Sequence, residues 1–300
     1  MTYVRPRSRT AMPDHPALTA RQIALTFAAE IEGMTVHGDV SPESLTQFVS
    51  FLHRYRVLVV PGDLISPAAL TAFGRRFGKL ELHARFENTL PAQREIFCVG
   101  NVVRDGATAA FSRGVEQWHS DSSYIETPGD ASLFHAVIVP PEGGGTWFAD
   151  ATAAYRALDP AMRERIEDLR AVHSLKTLYD WNARQNPDRP PGSRANSYPA
   201  VSQRLVRVHP ATGARSLYVC PAVISHVEGL EKAEGEDLIE ALMAHASQPR
   251  FVYKHQWRAG DLVMWDNRAV LHTASLFDHT KYQRLMYRVT VAGGAPALRA

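Results

Sequence analysis

The sequence predicts one α+β domain built around a largely antiparallel sandwich or barrel. Runs of apolar and β-branched residues of strand length dominate the middle and the end of the 300-residue chain, whereas helical periodicity is confined to separate segments. Neither an internal repeat nor a low-complexity segment interrupts the sequence. A chain of this length buries a sizeable core, so the fold needs neither disulfides nor a structural metal.

The composition excludes several classes of protein. The 33 basic and 31 acidic residues leave a net charge of +2, which argues against a dedicated nucleic-acid binder. Cys98 and Cys220 belong to no C-x-x-C pair, which excludes a disulfide scaffold and a zinc ribbon. The longest apolar runs, such as 57–60 and 136–139, are far shorter than the roughly 20 residues of a membrane span. No secretory signal is visible, so we expect a cytoplasmic protein without a membrane partner.

The N-terminal part predicts a tail followed by two helices around a strand. Residues 1–20 are polar and contain three prolines, and we expect them to form a flexible tail. Apolar residues at helical spacing after a serine-proline start predict a helix over 41–55. The β-branched run 56–60 predicts a buried strand. A second helix is expected over 66–77, where a glycine ends it.

The remaining elements are mostly strands. A strand is predicted over 131–139 and two short helices over 150–169. Residues 183–200 carry most of the local Pro, Ser and Asn, and we interpret them as a long loop that is a candidate lid. Segments 206–208 and 217–219 flank a turn sequence and predict a hairpin. The last expected elements are a helix over 231–247 and strands near 251–255, 262–265 and 285–291.

Two His-x-Asp triplets are candidates for part of a metal site. A mononuclear Fe(II) site uses two His and one carboxylate on one face of the ion, and residues two apart on a strand point the same way. The triplet alone is a weak signal, and 37–39 precedes the first helix, where a capping role explains it. His119-Ser120-Asp121 instead lies between an aromatic residue and small hydroxyl side chains, which suits a partly dry pocket.

The C-terminal part supplies the partners that this site requires. The segment 261–268 leads to His272, a candidate third ligand, and Arg284 follows twelve residues later, then Arg288 after four more. The distal carboxylate of 2-oxoglutarate needs a fixed, planar, bidentate donor, which is arginine rather than lysine. Thr146, after a glycine turn, offers the same carboxylate a hydroxyl group. These residues favour a site for Fe(II) and 2-oxoglutarate.

The sequence resembles the taurine dioxygenase / 2,4-dichlorophenoxyacetate dioxygenase family of Fe(II)- and 2-oxoglutarate-dependent oxygenases from about residue 22 to about residue 292. It is more similar to the phenoxyalkanoate-degrading branch than to taurine dioxygenase. The segments that carry the resemblance are WHSDSSY (118–124), VIVPPEGGGTWFAD (137–150), SHVEGL (225–230) and GDLVMWDNRAVLH (260–272).

The resemblance implies a fold, a set of cofactors and a set of roles. The fold is a distorted double-stranded β-helix (jelly roll, cupin-like) with flanking helices, in one domain over 21–295. Fe(II), 2-oxoglutarate and O2 are the implied cofactor and cosubstrates, with no catalytic residue beyond the metal site. The resemblance implies that His119, Asp121 and His272 bind the iron and that Thr146 and Arg284 contact 2-oxoglutarate. It implies that Arg288 binds the anionic group of the substrate and that His83 and Phe86 line the substrate pocket. Arg85, beside them, either contacts a carboxylate or faces solvent.

These residues predict an oxygenase that couples decarboxylation of 2-oxoglutarate to succinate and CO2 with hydroxylation of an anionic small molecule. A phenoxyalkanoate such as 2,4-dichlorophenoxyacetate, cleaved at its ether, is the first expectation. Because the stretch 80–88 departs from the phenoxyacetate pattern, a taurine-like sulfonate or an amino-acid-derived carboxylate stays open as the substrate. Alternatives of other classes are a non-redox metal-dependent hydrolase or isomerase and a binding protein with a dead site. The family further implies a homodimer or tetramer, with no nucleic-acid partner.

Overall fold

Two antiparallel sheets face each other at the centre of the fold. The computed structural model describes residues 17–37, 40–83, 85–110, 116–185 and 198–298. The helices are α1 (Pro42–Tyr55), α2 (Pro67–Arg75), α3 (Ala151–Arg156), α4 (Pro160–Ile166), α5 (Leu175–Gln185) and α6 (Lys232–Ala246). Short 3-10 turns cover Phe86–Asn88, Pro249–Phe251 and Pro296–Leu298.

The strands run through the whole described chain. In order they are β1 (Thr19–Gln22), β2 (Ala29–Glu32), β3 (Val57–Val60), β4 (Thr89–Leu90), β5 (Gln93–Gly100), β6 (Val103–Arg104), β7 (Ala107–Thr108), β8 (Ala131–Ile138), β9 (Thr146–Asp150), β10 (Arg170–His173), β11 (Val201–Arg204), β12 (Val206–Val208), β13 (Arg215–Leu217), β14 (Ile224–Val227), β15 (Val252–His255), β16 (Leu262–Asp266), β17 (Val270–Ala274) and β18 (Leu285–Val291).

The strand order is that of a jelly roll. The larger sheet runs β1-β2-β3-β16-β8-β18-β5-β4, and its neighbours are antiparallel except for the β2–β3 pair. The smaller facing sheet runs β15-β9-β17 and is antiparallel throughout. Smaller sheets (β11-β10-β14, β12-β13 and β6-β7) lie outside this pair. This confirms the α+β jelly-roll fold.

Helices α1 and α2 cover the outer face of the larger sheet. Both begin at a serine whose side chain accepts a hydrogen bond from the backbone three residues later, followed by proline in the first turn. Phe48 and Leu52 of α1 and Phe73 of α2 are buried against strand residues such as Leu58 and Leu133. This layer fixes the larger sheet from behind and leaves its inner face for the space between the sheets.

Aromatic side chains fill the space between the two sheets. Phe134, Trp265 and Val263 of the larger sheet meet Phe148 and Val270 of the smaller one, and each of these five is buried. The Phe134 and Trp265 rings pack edge to face, with centroids 6.0 Å apart. Because strand residues alternate between faces, the same strands present one apolar set to the helices and another to this inner core.

Most elements expected from the sequence are confirmed, and three boundaries are wrong. The tail was expected to include residues 17–20, but Leu18 is 3% exposed and Thr19 opens β1, because this segment pairs with β2. The loop expected over 183–200 begins later, since α5 extends to residue 185. The second hairpin strand lies at 215–217 rather than 217–219. Residues 1–16, 38–39 and 186–197 lie outside the described residues, including the rest of the tail and most of the candidate lid.

Candidate active site

The structure brings His119, Asp121 and His272 together beside strand β17 of the smaller sheet. His272 lies on β17, and His119 pairs with it through two backbone bonds, His119 N–H to the His272 carbonyl at 3.0 Å and the reverse at 2.8 Å. Nε2 of His119 and Nε2 of His272 lie 4.0 and 3.9 Å from Asp121 Oδ1. Two imidazoles and a carboxylate converging in this way form the donor set of a non-haem Fe(II) site.

A chain of buried hydrogen bonds holds Asp121 in place. Ser132 Oγ donates to Asp121 Oδ2 at 2.7 Å. Asn267 Nδ2 donates to Ser132 Oγ at 3.0 Å, and Trp265 Nε1 donates to Asn267 Oδ1 at 2.8 Å. Ser120 Oγ, next to the carboxylate in sequence, donates to the Asn267 carbonyl at 2.8 Å. Such partners orient a metal ligand and leave its other oxygen, Oδ1, turned toward the two imidazoles.

The three candidate ligands hold the protonation states that a metal requires. Burial lowers the pKa of His119, and burial followed by the neighbouring His119 lowers the pKa of His272 to about 3. Burial alone would raise the pKa of Asp121, but Arg288, His272 and His119 outweigh it and hold that pKa well below its usual range. Two neutral imidazoles and a carboxylate are therefore ready to bind a cation. A hydrogen bond of 2.8 Å between His119 Nδ1 and the Gln117 carbonyl leaves Nε2 as the free lone pair.

A small cavity of about 50 Å³ opens beside this triad. Its lining includes His119, His272, Thr146, Arg284 and Arg288. The elements explain the convergence, since Thr146 begins β9 and pairs with Ala274 on β17, while Arg284 directly precedes β18. His119 and His272, two of the three candidate metal ligands, therefore share one cavity with Thr146 and Arg284, the candidate 2-oxoglutarate contacts.

Arg284 is a buried cation that lacks an acidic partner among the described residues. The residue is 2% exposed, and burial lowers the pKa of its guanidinium to about 10. Nε donates to the Gly144 carbonyl at 3.2 Å, and the backbone N–H donates to Asn101 Oδ1 at 2.8 Å. A buried charge requires a counterion, and a carboxylate entering the cavity provides one. Thr146 Oγ1 accepts from Trp257 Nε1 at 3.0 Å, which leaves its hydroxyl hydrogen free to donate.

Arg288 joins the triad to the wall of the cavity. Its Nη1 donates to Asp121 Oδ1 at 2.7 Å, and its guanidinium lies 5.1 Å from the centroid of the Phe97 ring. Nε is buried and makes no hydrogen bond within the described part of the chain. The planar group thus keeps donor capacity for an anion that enters from this side.

A larger cavity of about 360 Å³ includes in its lining Ser122, the residue that follows Asp121 in the sequence. His83 lines it and stacks on Phe97, with ring centroids 3.9 Å apart, so Phe97 separates His83 from Arg288. The other described residues of its lining are Lys79, Leu80, Glu81, Leu82, Ser122, Tyr124, Ile125, Thr127, Tyr198, Ala292 and Gly293. His83, predicted to line the substrate pocket, thus lines this larger cavity and not the small one beside the metal ligands.

Arg85 and Phe86 are placed differently from the prediction. Neither is among the described residues that line the two cavities. Phe86 begins a 3-10 turn and is 50% exposed, because the turn directs its side chain outward. Arg85 Nη2 donates to Tyr179 Oη at 3.0 Å, which ties it to α5 rather than to a ligand in either cavity.

A second cluster of possible ligands, His53, His209 and Asp266, does not suit a metal. Both Asp266 oxygens are occupied, Oδ1 by Arg268 Nε at 2.8 Å and Oδ2 by Arg268 Nη2 at 2.7 Å and His209 Nε2 at 2.8 Å. His209 Nδ1 accepts from two backbone N–H groups, those of Ala211 and Thr212. The lone pairs that would bind an ion are in use, so this cluster is structural.

Comparison with known proteins decides the family. Residues 19–290 match the family described as "Taurine catabolism dioxygenase TauD, TfdA family". The chain belongs to this family. TauD/TfdA membership agrees with the resemblance seen in the sequence and makes the protein a dioxygenase of the 2-oxoglutarate-dependent class. Among the described residues, none of the helices combines the length and apolar character that a membrane crossing demands.

Two similar TauD/TfdA relatives carry phenoxyalkanoate names. The chain is 35% identical over 278 residues to an alpha-ketoglutarate-dependent 2,4-dichlorophenoxyacetate dioxygenase of Burkholderia sp. (strain RASC), covering 89% of this chain and 92% of the relative. It is 32% identical over 292 residues to an (S)-phenoxypropionate/alpha-ketoglutarate-dioxygenase of Sphingobium herbicidovorans, covering 93% and 96%. Alpha-ketoglutarate is another name for 2-oxoglutarate.

Solved structures show the same fold. AAD-2 in complex with Mn(II) and N-oxalylglycine superimposes with a TM-score of 0.76 at 32% identity, over 94% of this chain and 99% of the other. A taurine dioxygenase from Burkholderia xenovorans gives a TM-score of 0.77 at 27% identity, over 93% and 90%.

Sequence reasoning missed the residues that depend on long-range packing. Ser132 was assigned no role from the sequence, because its hydrogen bond joins strand β8 to Asp121 in a separate loop and no local pattern predicts it. Glu81, Tyr124 and Tyr198 were also missed, although Glu81 precedes His83 by only two residues and the whole run 79–83 lines the larger cavity. This closeness in sequence to His83 was the one signal for Glu81.

Proposed function

We propose that this TauD/TfdA dioxygenase hydroxylates a phenoxyalkanoate on the carbon next to the ether oxygen and thereby cleaves the ether. The observation that carries the proposal is Arg288, whose guanidinium lines the same cavity as His119, His272, Thr146 and Arg284. It offers an anionic substrate a fixed attachment beside the metal ligands. The names of the two relatives, which act on 2,4-dichlorophenoxyacetate and on (S)-phenoxypropionate, support this substrate class.

In this proposal His119, Asp121 and His272 hold Fe(II), and Thr146 and Arg284 hold 2-oxoglutarate. The donor set fits Fe(II) because it supplies two neutral imidazoles and one carboxylate and leaves positions open for cosubstrate and O2. Bound Fe(II), with 2-oxoglutarate and O2, supplies the oxidant that inserts one oxygen atom into a C–H bond. Arg284 neutralises the distal carboxylate of 2-oxoglutarate in a buried site where solvent does not compete.

The chain positions the substrate and excludes water. Arg288 binds the carboxylate of the phenoxyalkanoate and thereby places the adjacent CH₂ near the metal ligands. Trp265 and Phe134, which also line the small cavity, add apolar surface to its wall, and the Arg284 guanidinium lies 5.7 Å from the centroid of the Phe134 ring. The exclusion of water protects the protein from uncoupled oxidation.

The overall reaction balances. One atom of O2 enters the substrate as hydroxyl, and the other enters succinate as 2-oxoglutarate loses CO2. Hydroxylation of ArO–CH₂–COO⁻ gives the hemiacetal ArO–CH(OH)–COO⁻. Loss of the phenol from that hemiacetal yields glyoxylate without a further oxidant.

The test is a substrate panel with Fe(II), 2-oxoglutarate and O2. Phenoxyacetates, phenoxypropionates, taurine and N-acyl amino acids are compared for succinate formation, and anaerobically for a shift of the weak visible band of the iron–keto-acid complex. Stoichiometric succinate, phenol and glyoxylate from a phenoxyacetate are expected. Turnover of sulfonates or N-acyl amino acids without phenoxyalkanoate turnover would replace the substrate class and leave the reaction class intact.

Two arginine variants check the assignment within the same assay. Arg288→Ala is expected to weaken the apparent affinity for the phenoxyalkanoate by about 10- to 100-fold, the loss of a charged hydrogen bond, with a much smaller change in the apparent affinity for the cosubstrate. Arg284→Ala is expected to weaken the apparent affinity for 2-oxoglutarate by a similar factor, with a much smaller change in the apparent affinity for the phenoxyalkanoate. Equal effects of both variants on both apparent affinities would show that the two roles are assigned wrongly.

A further inference from the structure

The larger cavity contains a carboxylate that the proposed chemistry does not use. Glu81 lines it together with apolar and aromatic residues such as Leu80, Ile125, Tyr124 and Tyr198. The Glu81 backbone N–H donates to the Thr290 carbonyl at 2.9 Å, which fixes the segment along the end of β18. The lining is mixed and Glu81 is half-buried in it, and a partly buried carboxylate is costly unless donors meet it, so packing alone does not account for Glu81.

The surroundings of Glu81 leave room for such a donor. Ser122 Oγ donates to Glu81 Oε2 at 3.2 Å, and within the described residues no ion pair is made by Glu81. Lys79 lines the same cavity but is exposed and lies beyond ion-pair distance in the described structure. Gly129 adjoins the other oxygen, since a Cβ at that position would come 3.1 Å from Oε1. Burial, then Asp121, raises the pKa of Glu81 to about 7, as expected of an underpaired carboxyl.

The local backbone directs these groups into the cavity. Ser122 adopts φ 56°, a left-handed conformation that is unusual for serine and that turns the chain immediately after Asp121. Tyr124 and Tyr198 contact each other, with ring centroids 5.7 Å apart, and form one aromatic wall. On the other side, the two cavities adjoin at Phe97, whose ring contacts His83 of the larger cavity and Arg288 of the small one. The charge of Arg288 acts on the Glu81 carboxyl, so the two groups lie near each other across this boundary.

We propose that Glu81 is a specificity-determining residue that accepts a hydrogen bond from an amino or hydroxyl group of the prime substrate. Arg288 binds the anion at one end, the aromatic wall contacts the middle, and Glu81 binds the donor at the other end. The inference rests on the proposed function for its reaction and for the role of Arg288. It narrows the substrate class to anions that carry a hydrogen-bond donor remote from the acid group, and it disfavours purely halogenated rings, which offer the carboxylate no donor beyond that of Ser122.

The experiment compares matched ligand pairs that differ in the donor. One pair is 3- or 4-aminophenoxyacetate against the corresponding chlorophenoxyacetate, and the other is taurine against propanesulfonate. Dissociation constants are measured anaerobically, from the visible band of the Fe(II)–2-oxoglutarate enzyme and by calorimetry. The proteins are wild type, Glu81→Gln, Glu81→Leu and Glu126→Gln, the last being an exposed carboxylate outside the cavity lining.

In the wild type, the donor-bearing member of at least one pair is expected to bind about 10- to 100-fold more tightly than its partner. The affinity ratio is the affinity for the donor-bearing ligand divided by that for its partner. Glu81→Leu should abolish or invert this affinity ratio, Glu81→Gln should reduce it, and Glu126→Gln should leave it unchanged. An unchanged ratio in Glu81→Leu would overturn the inference, as would a wild-type preference for the member without a donor in both pairs.

The two pairs separate the two proposals. Binding of the sulfonate pair alone would end the phenoxyalkanoate proposal, while the Glu81 ratio still decides the role of this residue. Binding of the phenoxyacetates with a ratio that does not depend on Glu81 would end the inference alone. Failure of both pairs to bind would overturn both.

Discussion

Asp121 divides its two carboxylate oxygens between two tasks. Oδ2 accepts from Ser132, and Oδ1 faces the two imidazoles and Arg288. The division fixes the orientation of the carboxylate before any ion binds, because Ser132 is itself held by Asn267. A metal therefore meets a preorganised ligand rather than a rotating one.

Ser132→Ala tests this positioning role. The change removes the donor to Asp121 Oδ2 and leaves the buried Asn267 amide without its acceptor. The affinity for Mn(II) or Fe(II) is expected to fall about 10- to 100-fold, the usual cost of losing an outer partner of a ligand. Calorimetric titration of the apoprotein measures it, with the exposed Ser225→Ala as the control. An affinity equal to that of the wild type would contradict the role.

At the scale of elements, the site depends on how closely β18 approaches its neighbour β5. Leu285 pairs with Gly100, and Arg284 immediately precedes it. Gly100 has φ 149°, and a Cβ there would lie 1.9 Å from the Arg284 carbonyl oxygen. Only glycine allows this approach, which sets the position of the Arg284 side chain in the small cavity.

Gly100→Ala is expected to displace the start of β18. The clash should lower the free energy of unfolding by about 1–3 kcal/mol and weaken the binding of N-oxalylglycine or 2-oxoglutarate about 10-fold. Thermal unfolding and calorimetry measure the two effects. Gly62→Ala is the matched control, since a Cβ at Gly62 meets nothing within 4 Å and both quantities should stay at wild-type values. Wild-type binding by Gly100→Ala would show that Arg284 is positioned independently of this contact.

The elements also show what the sequence can and cannot predict. Helix α1 was predictable because its serine cap, its proline and its apolar spacing are all local signals. The strand β17 was not predicted as such, although His272 was, because its five residues are held by the β9 register rather than by their own pattern. The metal triad was predictable from its motif, whereas Glu81 and Tyr198 meet only through folding, 117 positions apart in sequence.

At the scale of the molecule, acid sensitivity should come partly from His173 on β10. The residue is fully buried, both ring nitrogens lack a hydrogen-bond partner among the described residues, and the ring stacks on Tyr218. Burial, then Arg207, lowers the pKa of His173 to about 4. In the unfolded chain His173 takes up its proton near pH 6.5, whereas in the folded chain it does so only near pH 4. Between these two pH values the unfolded chain therefore binds more protons than the folded chain. The free energy of unfolding therefore falls as the pH falls through this window.

His173→Phe should reduce this dependence while keeping the stack on Tyr218. At pH 5 the wild type is expected to lose about 2 kcal/mol relative to pH 8 from this histidine alone, and the variant should not show that part of the loss. Urea unfolding at both pH values measures the difference. His226→Phe, an exposed histidine on the neighbouring strand β14, serves as the control. Identical pH slopes in His173→Phe and the wild type would contradict the assignment.

Metal binding should stabilise the whole molecule, because its ligands come from distant parts of the chain. His119 and Asp121 lie in a loop, His272 lies on the smaller sheet, and Arg284 approaches from the larger one. An ion that binds only the folded arrangement, at 100 times its dissociation constant, adds about 2.7 kcal/mol to the free energy of unfolding. This corresponds to a rise in Tm of about 5 °C for a chain of this size.

Mn(II) is expected to produce this rise in Tm in the wild type and not in His119→Ala. His53→Gln should keep it, because the lone pairs of the His53 cluster are already occupied by Arg268 and backbone groups. A rise that persisted in His119→Ala and vanished in His53→Gln would place the metal in the other cluster and remove the basis for the proposed chemistry.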